Sequence, residues 1–175
     1  MRAKNRLVLS SVVIFLLGSA FHFLYKLLGN SPVAAVLFAV NESVWEHMKL
    51  LSTAALLWMV VDWRISGIES RTRFFQARAL SLPLSLLLIP AAYYLFKEAF
   101  QLENVILSIA ILAASSFLYQ WLAQRLERSL LASRNRRVLA ILALTAIFLL
   151  FSAFTFYPPH LPLFLDTSTG TYGPG

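Results

Sequence analysis

The sequence contains no cysteine, and this absence removes a whole class of chemistry from consideration. Without thiols the chain can form neither disulfides nor thiolate metal sites, and it cannot carry out thiol redox reactions. Charge is also scarce, because charged residues make up 13% of the 175 residues whereas hydrophobic residues make up 59%. The mean hydropathy of +0.71 is a value that a soluble domain could hardly sustain. The composition therefore predicts a single integral membrane domain over residues 1–175.

Five apolar stretches reach or approach the roughly 20 residues that a helix needs to cross about 30 Å of hydrocarbon. They are Leu7–Leu28, Ser43–Trp63, Phe75–Phe96, Val105–Trp121 and Val138–Tyr157. We therefore predict an all-α fold, a polytopic membrane helix bundle with about five transmembrane helices. Pro83 and Pro90 predict a bend in the third helix. The stretch Val33–Val40 is apolar but too short to cross, which predicts a re-entrant or interfacial piece after the first helix.

The first stretch also resembles a secretory signal, because basic residues precede it and Gly18-Ser19-Ala20 resembles a cleavage site. The apolar run continues to Leu28, and this length favours an uncleaved first helix over a removed signal.

Basic residues are distributed unevenly between the connections that five spans would create. The N-terminal side carries twelve of the 15 basic residues and three of the eight acidic ones. This group is Arg2, Lys4, Arg6, Arg64, Arg71, Arg73, Arg78, Arg125, Arg128, Arg134, Arg136 and Arg137, with Asp62, Glu69 and Glu127. Short loops rich in lysine and arginine stay in the cytoplasm, so we predict a cytoplasmic N-terminus and an extracytoplasmic C-terminus. The positive charge then indicates contact with anionic lipids, and nothing further favours a nucleic-acid partner.

The segment Asn41–Lys49, with the sequence NESVWEHMK, places two carboxylates and an imidazole within two helical turns. Ionisable groups at membrane depth are costly, so they are functional candidates by default. The spacing of Ser43 and Glu46 is that of a capping box, which is the purely structural interpretation of the segment. A single cap requires neither Glu42 nor His47. The segment therefore favours a buried polar site over a solvated helix end.

The three histidines of the chain, His22, His47 and His160, fall at the same end of apolar stretches. Five spans put all three on the outer side, whereas four or six spans would scatter them. The tail 158–175 contains four apolar residues that favour burial, Leu161, Leu163, Phe164 and Leu165. We predict that this tail forms an ordered strap that returns His160 and Asp166 to the site, and an interfacial segment with a loose end is the alternative.

Three histidines with carboxylates are typical of a site for Zn²⁺ or another borderline divalent metal that keeps an open water position. In this interpretation His22, His47 and His160 are metal ligands. Asp166 is a fourth ligand, or it orients the ligands from the second layer.

Three further residues are candidates for catalysis beside such a metal. Glu46 is the expected general base or acid, Ser43 is an auxiliary donor or a nucleophile, and Glu42 is the remaining carboxylate of the segment. The combination is similar to that of membrane hydrolases related to alkaline ceramidases, although their seven spans and helix order are missing. The predicted function is therefore a metal-dependent hydrolase acting on a lipid or lipid-linked substrate.

Two other functions fit the same residues. A polar helix start that opens to the outside is similar to the sites of transporters, which predicts a small-molecule binding or transport subunit. The cluster could instead be a structural latch that fixes helix packing, in a homo-oligomer or with a membrane-protein partner. Loss of turnover without loss of folding in Glu46→Gln would indicate the hydrolase, whereas loss of stability would indicate the latch.

Several motifs extend from the first helix to the tail: FHFLY at 21–25, NSP at 30–32, NESVWEHMK at 41–49, FTFYPPH at 154–160 and TGTYG at 169–173. Together with Asp166 they resemble a family of small bacterial integral membrane proteins that is catalogued as a domain of unknown function. The resemblance implies a multi-pass protein of the bacterial cytoplasmic (inner) membrane, and it supplies no activity.

Overall fold

The computed structural model describes residues 3–102 and 104–174, which are mostly helical. The helices in chain order are α1 (Ala3–Leu27), α2 (Pro32–Leu37), α3 (Val44–Ser66), α4 (Arg71–Leu86), α5 (Leu88–Phe100), α6 (Val105–Ser129) and α7 (Arg134–Phe156). The tail contains a 3₁₀ turn at Pro162–Phe164 and an antiparallel pair of short strands, β1 (Leu165–Asp166) and β2 (Thr171–Tyr172). The prediction of a helical bundle is confirmed.

Within the described residues, four helices are long and apolar enough to cross a membrane. They are α1, the combined helix Arg71–Phe100 that contains α4 and α5, α6, and α7. Only 22–33% of their most apolar windows is buried inside the protein, so most of this apolar surface faces outward, as in a membrane protein. This pattern fits a bilayer environment.

Helix α3 differs from these four because its polar residues face inward. It has 23 residues, so it is about 34 Å long, and twelve of them are buried, including Glu46, Lys49 and Asp62. It contacts every other long helix of the bundle. The core around it includes Ile14, Leu51 and Leu112. Helix α3 is therefore the central helix of the bundle, and the fifth crossing stays a prediction.

Two prolines account for the interruption between α4 and α5. Leu87 separates the two helices, four residues after Pro83 and three residues before Pro90. Pro90 has no N–H group to donate to the carbonyl of Leu86, so one helical hydrogen bond is missing at this point. The break lets α5 pack against α3 and α6.

Helix α2 occupies most of the short apolar stretch between α1 and α3. Gly29 and Asn30 adopt positive φ angles of 69° and 56°, which reverse the chain after α1. Ser31 caps α2 by accepting a hydrogen bond from the amide of Ala34, and Pro32 occupies its first turn. With six residues, α2 is too short to cross a bilayer. It packs instead against α1, α3 and α7.

Four charged residues that were predicted to lie in exposed connections are buried, and this part of the charge assignment is wrong. They are Arg6, Asp62, Arg78 and Glu127, with exposures of 4%, 1%, 0% and 6%. All four lie within helices, on surfaces where those helices meet, so each finds an oppositely charged partner. Without Arg6 and Arg78 the N-terminal side keeps ten basic residues against three on the other side, so the asymmetry behind the topology prediction remains. Arg2 and Glu103 lie outside the described residues.

Candidate functional site

Two local hydrogen bonds between side chains and backbone amides stabilise the start of α3. The side chain of Asn41 accepts a hydrogen bond from the amide of Ser43, and the hydroxyl of Ser43 accepts one from the amide of Glu46. Ser43 is thus the N-cap of α3, as the capping interpretation predicted. The reciprocal half of a capping box is not formed here, because the Glu46 carboxylate accepts a hydrogen bond from Val40 rather than from Ser43.

Glu46 forms a buried ion pair with Lys49 on the side of α3 that faces α7. Its Oε2 lies 2.5 Å from Lys49 Nζ, and its Oε1 accepts a hydrogen bond of 2.8 Å from the hydroxyl of Thr155. Lys49 also donates to the carbonyl of Ala35 and to Thr155. The two charges are 0–2% exposed and have several polar partners, so the arrangement joins α2, α3 and α7. The structure does not bring Glu46 to the histidines.

Glu42 lies between the rings of His22 and His47. Glu42 Oε1 is 3.2 Å from His22 Nε2, and Glu42 Oε2 is 3.9 Å from His47 Nε2. The centroids of the two imidazole rings are 5.6 Å apart. One ligand atom from each residue lies within 4.8 Å of the others, so these three residues could hold a metal ion. We call this group the His–Glu–His triad.

The spacing of the triad is looser than that of an assembled zinc site. Ligand atoms at about 2.1 Å from a tetrahedral Zn²⁺ are about 3.4 Å from one another. The observed distances of 3.2 Å and 3.9 Å lie near this value but involve the two different oxygens of Glu42, and the three ligand atoms of the group lie within 4.8 Å of one another. Three ligands leave a fourth position for water, which is the arrangement of catalytic zinc sites. The triad therefore has a donor set that suits a borderline divalent ion, and its ligand atoms would move closer together around one.

His47 is oriented by a backbone contact. Its Nδ1 lies 2.9 Å from the carbonyl oxygen of Ser43. A carbonyl oxygen only accepts, so Nδ1 carries the hydrogen, and Nε2, which lies 3.9 Å from Glu42 Oε2, is the nitrogen left to act as a ligand atom. Metal-binding histidines are commonly oriented in this way. The same turn that caps α3 thus also fixes the ligand atom of His47.

Asp166 supports the triad without joining it. Its Oδ2 accepts a hydrogen bond from the backbone amide of Glu42, and its Oδ1 accepts bonds from Ser168. Partial burial raises the pKa of Asp166, but these hydrogen bonds together hold it below its ordinary value. The hydrogen bond with His22 likewise holds the pKa of Glu42 below its ordinary value. Both carboxylates are therefore ionised at neutral pH.

The tail contacts the start of α3 at further points. The side chain of Asn41 donates a hydrogen bond to the carbonyl of Gly173, and the ring of Phe164 packs 4.7 Å from that of Trp45. Gly173 has a φ of 70°, and a Cβ there would lie 3.2 Å from the carbonyl oxygen of Thr155. His160 is exposed and lies outside the triad, because its ring packs 4.7 Å from Tyr172 instead.

The triad lies at one end of a groove of about 590 Å³ between α1, α3, α5 and α6. Its polar end contains His22, Glu42, His47 and Ser168, whereas the rest is lined mainly by apolar side chains such as Phe15, Leu50, Ile89 and Leu112. A mostly apolar pocket with a few convergent polar groups is the usual form of a small-molecule site. We call it the α1–α6 groove.

A second polar cluster lies at the opposite end of the bundle, and the sequence analysis missed it. Arg6 donates to Asp62 at 2.7 Å and 2.8 Å and to Glu127 at 2.7 Å and 2.9 Å. Arg78 forms ion pairs with the same two carboxylates, and Gln120 and Ser10 add hydrogen bonds to Asp62. This four-charge cluster joins α1, α3, α4 and α6. The sequence contained one indication of this cluster. Arg6 lies at the edge of an apolar stretch, and Asp62 lies inside another.

Comparisons with known proteins provide a family and no activity. A search of the curated proteins finds no match, and a search of the solved structures finds none. A protein-family profile matches residues 1–174. This match covers nearly the whole chain, including the triad, the groove, the four-charge cluster and the tail. The chain therefore belongs to DUF6512, a family of unknown function.

Proposed function

We propose that this protein is a divalent-metal-dependent hydrolase of the membrane that acts on a lipid or lipid-linked substrate. The observation that supports it is the position of the His–Glu–His triad at the polar end of an apolar groove. A metal-capable group alone would be weak support, because exposed carboxylates and histidines often meet without a metal. The groove adds a place where an apolar molecule could lie with one polar bond beside the triad.

In this proposal His22 Nε2, His47 Nε2 and one oxygen of Glu42 hold the metal, with Zn²⁺ as the ion that best suits the donors. The bound ion would polarise the substrate and bring the pKa of its water to about 7. The second oxygen of Glu42 would remain free to accept a proton from that water. Asp166 orients Glu42 through the backbone amide. His160 is not needed, because its ring packs on Tyr172.

Glu46 and Ser43 have structural roles in this proposal. The oxygens of Glu46 accept hydrogen bonds from Val40 and Thr155 and pair with Lys49, so Glu46 is a buried latch between helices. The hydroxyl of Ser43 caps α3. The latch interpretation of the NESVWEHMK segment and the site interpretation thus apply to different residues of the same segment.

The proposed orientation follows from the charge asymmetry of the sequence. We place the N-terminus in the cytoplasm and the triad, with the tail as an ordered strap over it, on the extracytoplasmic side of a bacterial inner membrane. This arrangement requires α3 to be the fifth crossing. Its 23 residues are enough for that.

A lipid-binding or transport module is the second candidate, and the α1–α6 groove is the observation that favours it. Such a module would bind an apolar ligand without forming a product. Product formation therefore separates the two functions, whereas metal binding alone does not.

Metal content tests the proposal first. The detergent-purified protein would be analysed by elemental mass spectrometry after reconstitution with zinc or manganese, beside His22→Ala, His47→Ala and His160→Ala. We expect about one metal ion per chain in the wild type and in His160→Ala, and little in the other two variants. His160→Ala is the matched control, because it removes an imidazole outside the triad.

Two outcomes would contradict the proposal. Wild-type protein without metal after reconstitution would exclude the triad as a metal site. Loss of metal in His160→Ala, with the fold intact by size-exclusion chromatography, would instead support a ligand set in which the tail histidine takes part.

A further inference from the structure

We infer that the α1–α6 groove holds the acyl chain of a lipid that enters sideways from the bilayer, and that the bond presented to the triad is an acyl ester or amide. This inference rests on the proposed function, because the metal site defines the end of the groove where the bond lies. It adds the class of substrate and the direction of entry.

The side entrance is indicated by residues that line the groove and are also exposed on the surface of the bundle. Phe23, Val105 and Ile109 line the groove and are 63%, 74% and 48% exposed. They belong to α1 and α6, two of the helices suited to crossing a membrane. In a bilayer such side chains contact lipid tails. A lipid chain can therefore pass between them without first entering water.

The length of the groove suits a hydrocarbon chain. Phe15 precedes His22 by seven residues along α1, which corresponds to about 10 Å along the helix axis. One leaflet contributes about 15 Å of hydrocarbon, so the groove extends through about two-thirds of a leaflet. Ser19 and Ser108 contribute small side chains to its walls and leave room for a ligand. A chain lying in the groove would have its polar end at the triad.

The charges around the groove distinguish an acyl bond from a phosphate bond. Proteins usually bind phosphate groups with arginine or lysine. Within the described residues that line the groove there is no arginine or lysine, and its one charged carboxylate is Glu42. Asp166 lies directly behind Glu42 and adds a second negative charge. Lys97 lies behind the lining, with its Nζ 3.4 Å from the hydroxyl of Tyr93. The polar end itself therefore suits a neutral carbonyl better than a phosphodiester.

The depth of the triad agrees with this assignment. Arg6 of the four-charge cluster and His22 of the triad are sixteen residues apart on α1, or about 24 Å along its axis. This distance is shorter than the hydrocarbon thickness of about 30 Å, whereas headgroups extend the bilayer to about 40–45 Å. With Arg6 at the inner edge of the hydrocarbon, His22 would lie about 6 Å inside the outer edge, close to the acyl carbonyls and below the phosphates.

The reaction is a hydrolysis that balances with water alone. The water oxygen forms a bond to the acyl carbonyl carbon, and the bond from that carbon to the ester oxygen or amide nitrogen breaks. One proton of the water ends on the departing alcohol or amine. The acyl chain leaves as a carboxylate after releasing the remaining proton.

Photo-crosslinking tests whether a lipid chain occupies the groove. Wild-type protein in liposomes would be labelled with a diazirine-bearing palmitic acid, and the adducts mapped by peptide mass spectrometry. A chain held in the groove stays beside its walls while bulk lipids exchange past α7, so residues 15–23 and 105–112 should be labelled in excess over the mostly exposed residues 138–150 of α7. Ser19→Trp should abolish this excess. Leu16→Trp, on a side chain that is 58% exposed and outside the groove, should not.

Hydrolysis of two model substrates tests which class of bond is cleaved. Zinc-reconstituted protein would be given 4-methylumbelliferyl decanoate and bis(4-methylumbelliferyl) phosphate. We expect hydrolysis of the decanoate and none of the phosphate. Ser19→Trp should lower decanoate hydrolysis by about tenfold, the effect of overfilling a packed site. Leu16→Trp, outside the groove, should leave decanoate hydrolysis and metal content unchanged.

The outcomes separate this inference from the proposed function. Equal labelling of the groove and α7, in protein that holds its metal, would overturn the acyl groove and leave the metal site standing. Hydrolysis of the phosphate diester, or of neither substrate, would overturn the acyl bond. Absence of metal in the wild type would overturn the proposed function itself, whatever the labelling shows.

Discussion

Glu46 and His47 are neighbours in the chain, yet they belong to different environments. Successive residues of a helix point about 100° apart, so His47 faces the α1–α6 groove while Glu46 faces α7. The first is partly exposed beside Glu42, and the second is buried beside Lys49. Adjacent polar residues at a helix start therefore need not form one site. Here one supplies a possible ligand and the other holds helices together.

Glu46→Gln tests the latch at the level of one residue. The variant leaves the fully buried ammonium of Lys49 without its counter-charge, so we expect the free energy of unfolding to fall by about 3 kcal/mol. Thermal unfolding in detergent measures this change. The fraction that stays folded should keep its metal, because Glu46 is outside the triad.

The double variant Glu46→Gln/Lys49→Met is the control for that prediction. It removes both charges, so most of the lost stability should return. Stability equal to wild type in Glu46→Gln alone would show that the pair contributes little to the fold.

At the scale of elements, the tail and the start of α3 depend on one another. Asp166 follows a 3₁₀ turn and precedes a tight turn, and this geometry directs its carboxylate to the amides of Glu42 and Ser168. The tail therefore supports the loop that carries Glu42. A change in the tail should be detected at the triad, more than 100 residues away in the chain.

The pH dependence of this contact follows from the lowered pKa of Asp166. The folded pKa lies below the ordinary value of 3.8, so the stabilisation is complete above about pH 3.8 and is lost as the pH falls through the folded pKa. We expect hydrogen-exchange protection of the Glu42 and Ser168 amides to be constant from neutral pH to about pH 4.5 and to decrease below 3.8.

Asp166→Asn should reduce that protection already at neutral pH. Glu98→Gln is the control, because it removes an exposed carboxylate from another part of the chain. Unchanged protection in Asp166→Asn would mean that the apolar contacts of Phe164 hold the tail without the carboxylate.

The elements also show which features can be predicted from a sequence. Hydropathy is a local property, so the apolar helices and the break near Pro83 and Pro90 could be located. The sequence named all three triad residues as site candidates, His22 and His47 as ligands and Glu42 as a catalytic carboxylate, and their binding of a metal stays a prediction. The four-charge cluster could not be predicted, because Arg6 meets partners 56 and 121 residues away. The position of His160 depends on a tail fold that no periodicity specifies.

The four-charge cluster is the main polar contact between four helices at the scale of the whole molecule. Arg6→Met leaves Asp62 and Glu127 with one arginine instead of two. We expect the free energy of unfolding to fall by about 3 kcal/mol or more, because a buried charge loses its partner. Thermal unfolding tests this, with Lys4→Met as the matched control two residues earlier on an exposed position. Similar effects in both variants would contradict the role of the cluster.

The absence of cysteine makes the membrane orientation directly testable. Lys4→Cys and Thr169→Cys each introduce the only thiol of the chain at an exposed position. With five crossings, a membrane-impermeant maleimide added to intact cells should label Thr169→Cys and not Lys4→Cys, and both should be labelled after lysis. Labelling of both or of neither in intact cells would indicate an even number of crossings.

The inward-facing charges of α3 have a consequence for how the chain is made. A nascent α3 carries Glu46, Lys49 and Asp62. A charged residue costs about 2.5–3.5 kcal/mol at the centre of an inserting helix, and less within the two turns at each end where these three lie. Lys49 and its partner Glu46 belong to the same helix, and Arg6 of α1 has already been synthesised and can pair with Asp62. Arg78 and Glu127 emerge later, with α4 and α6. We expect α3 to remain beside the insertion machinery until these later helices are synthesised, so that its stable integration occurs late in translation rather than in chain order.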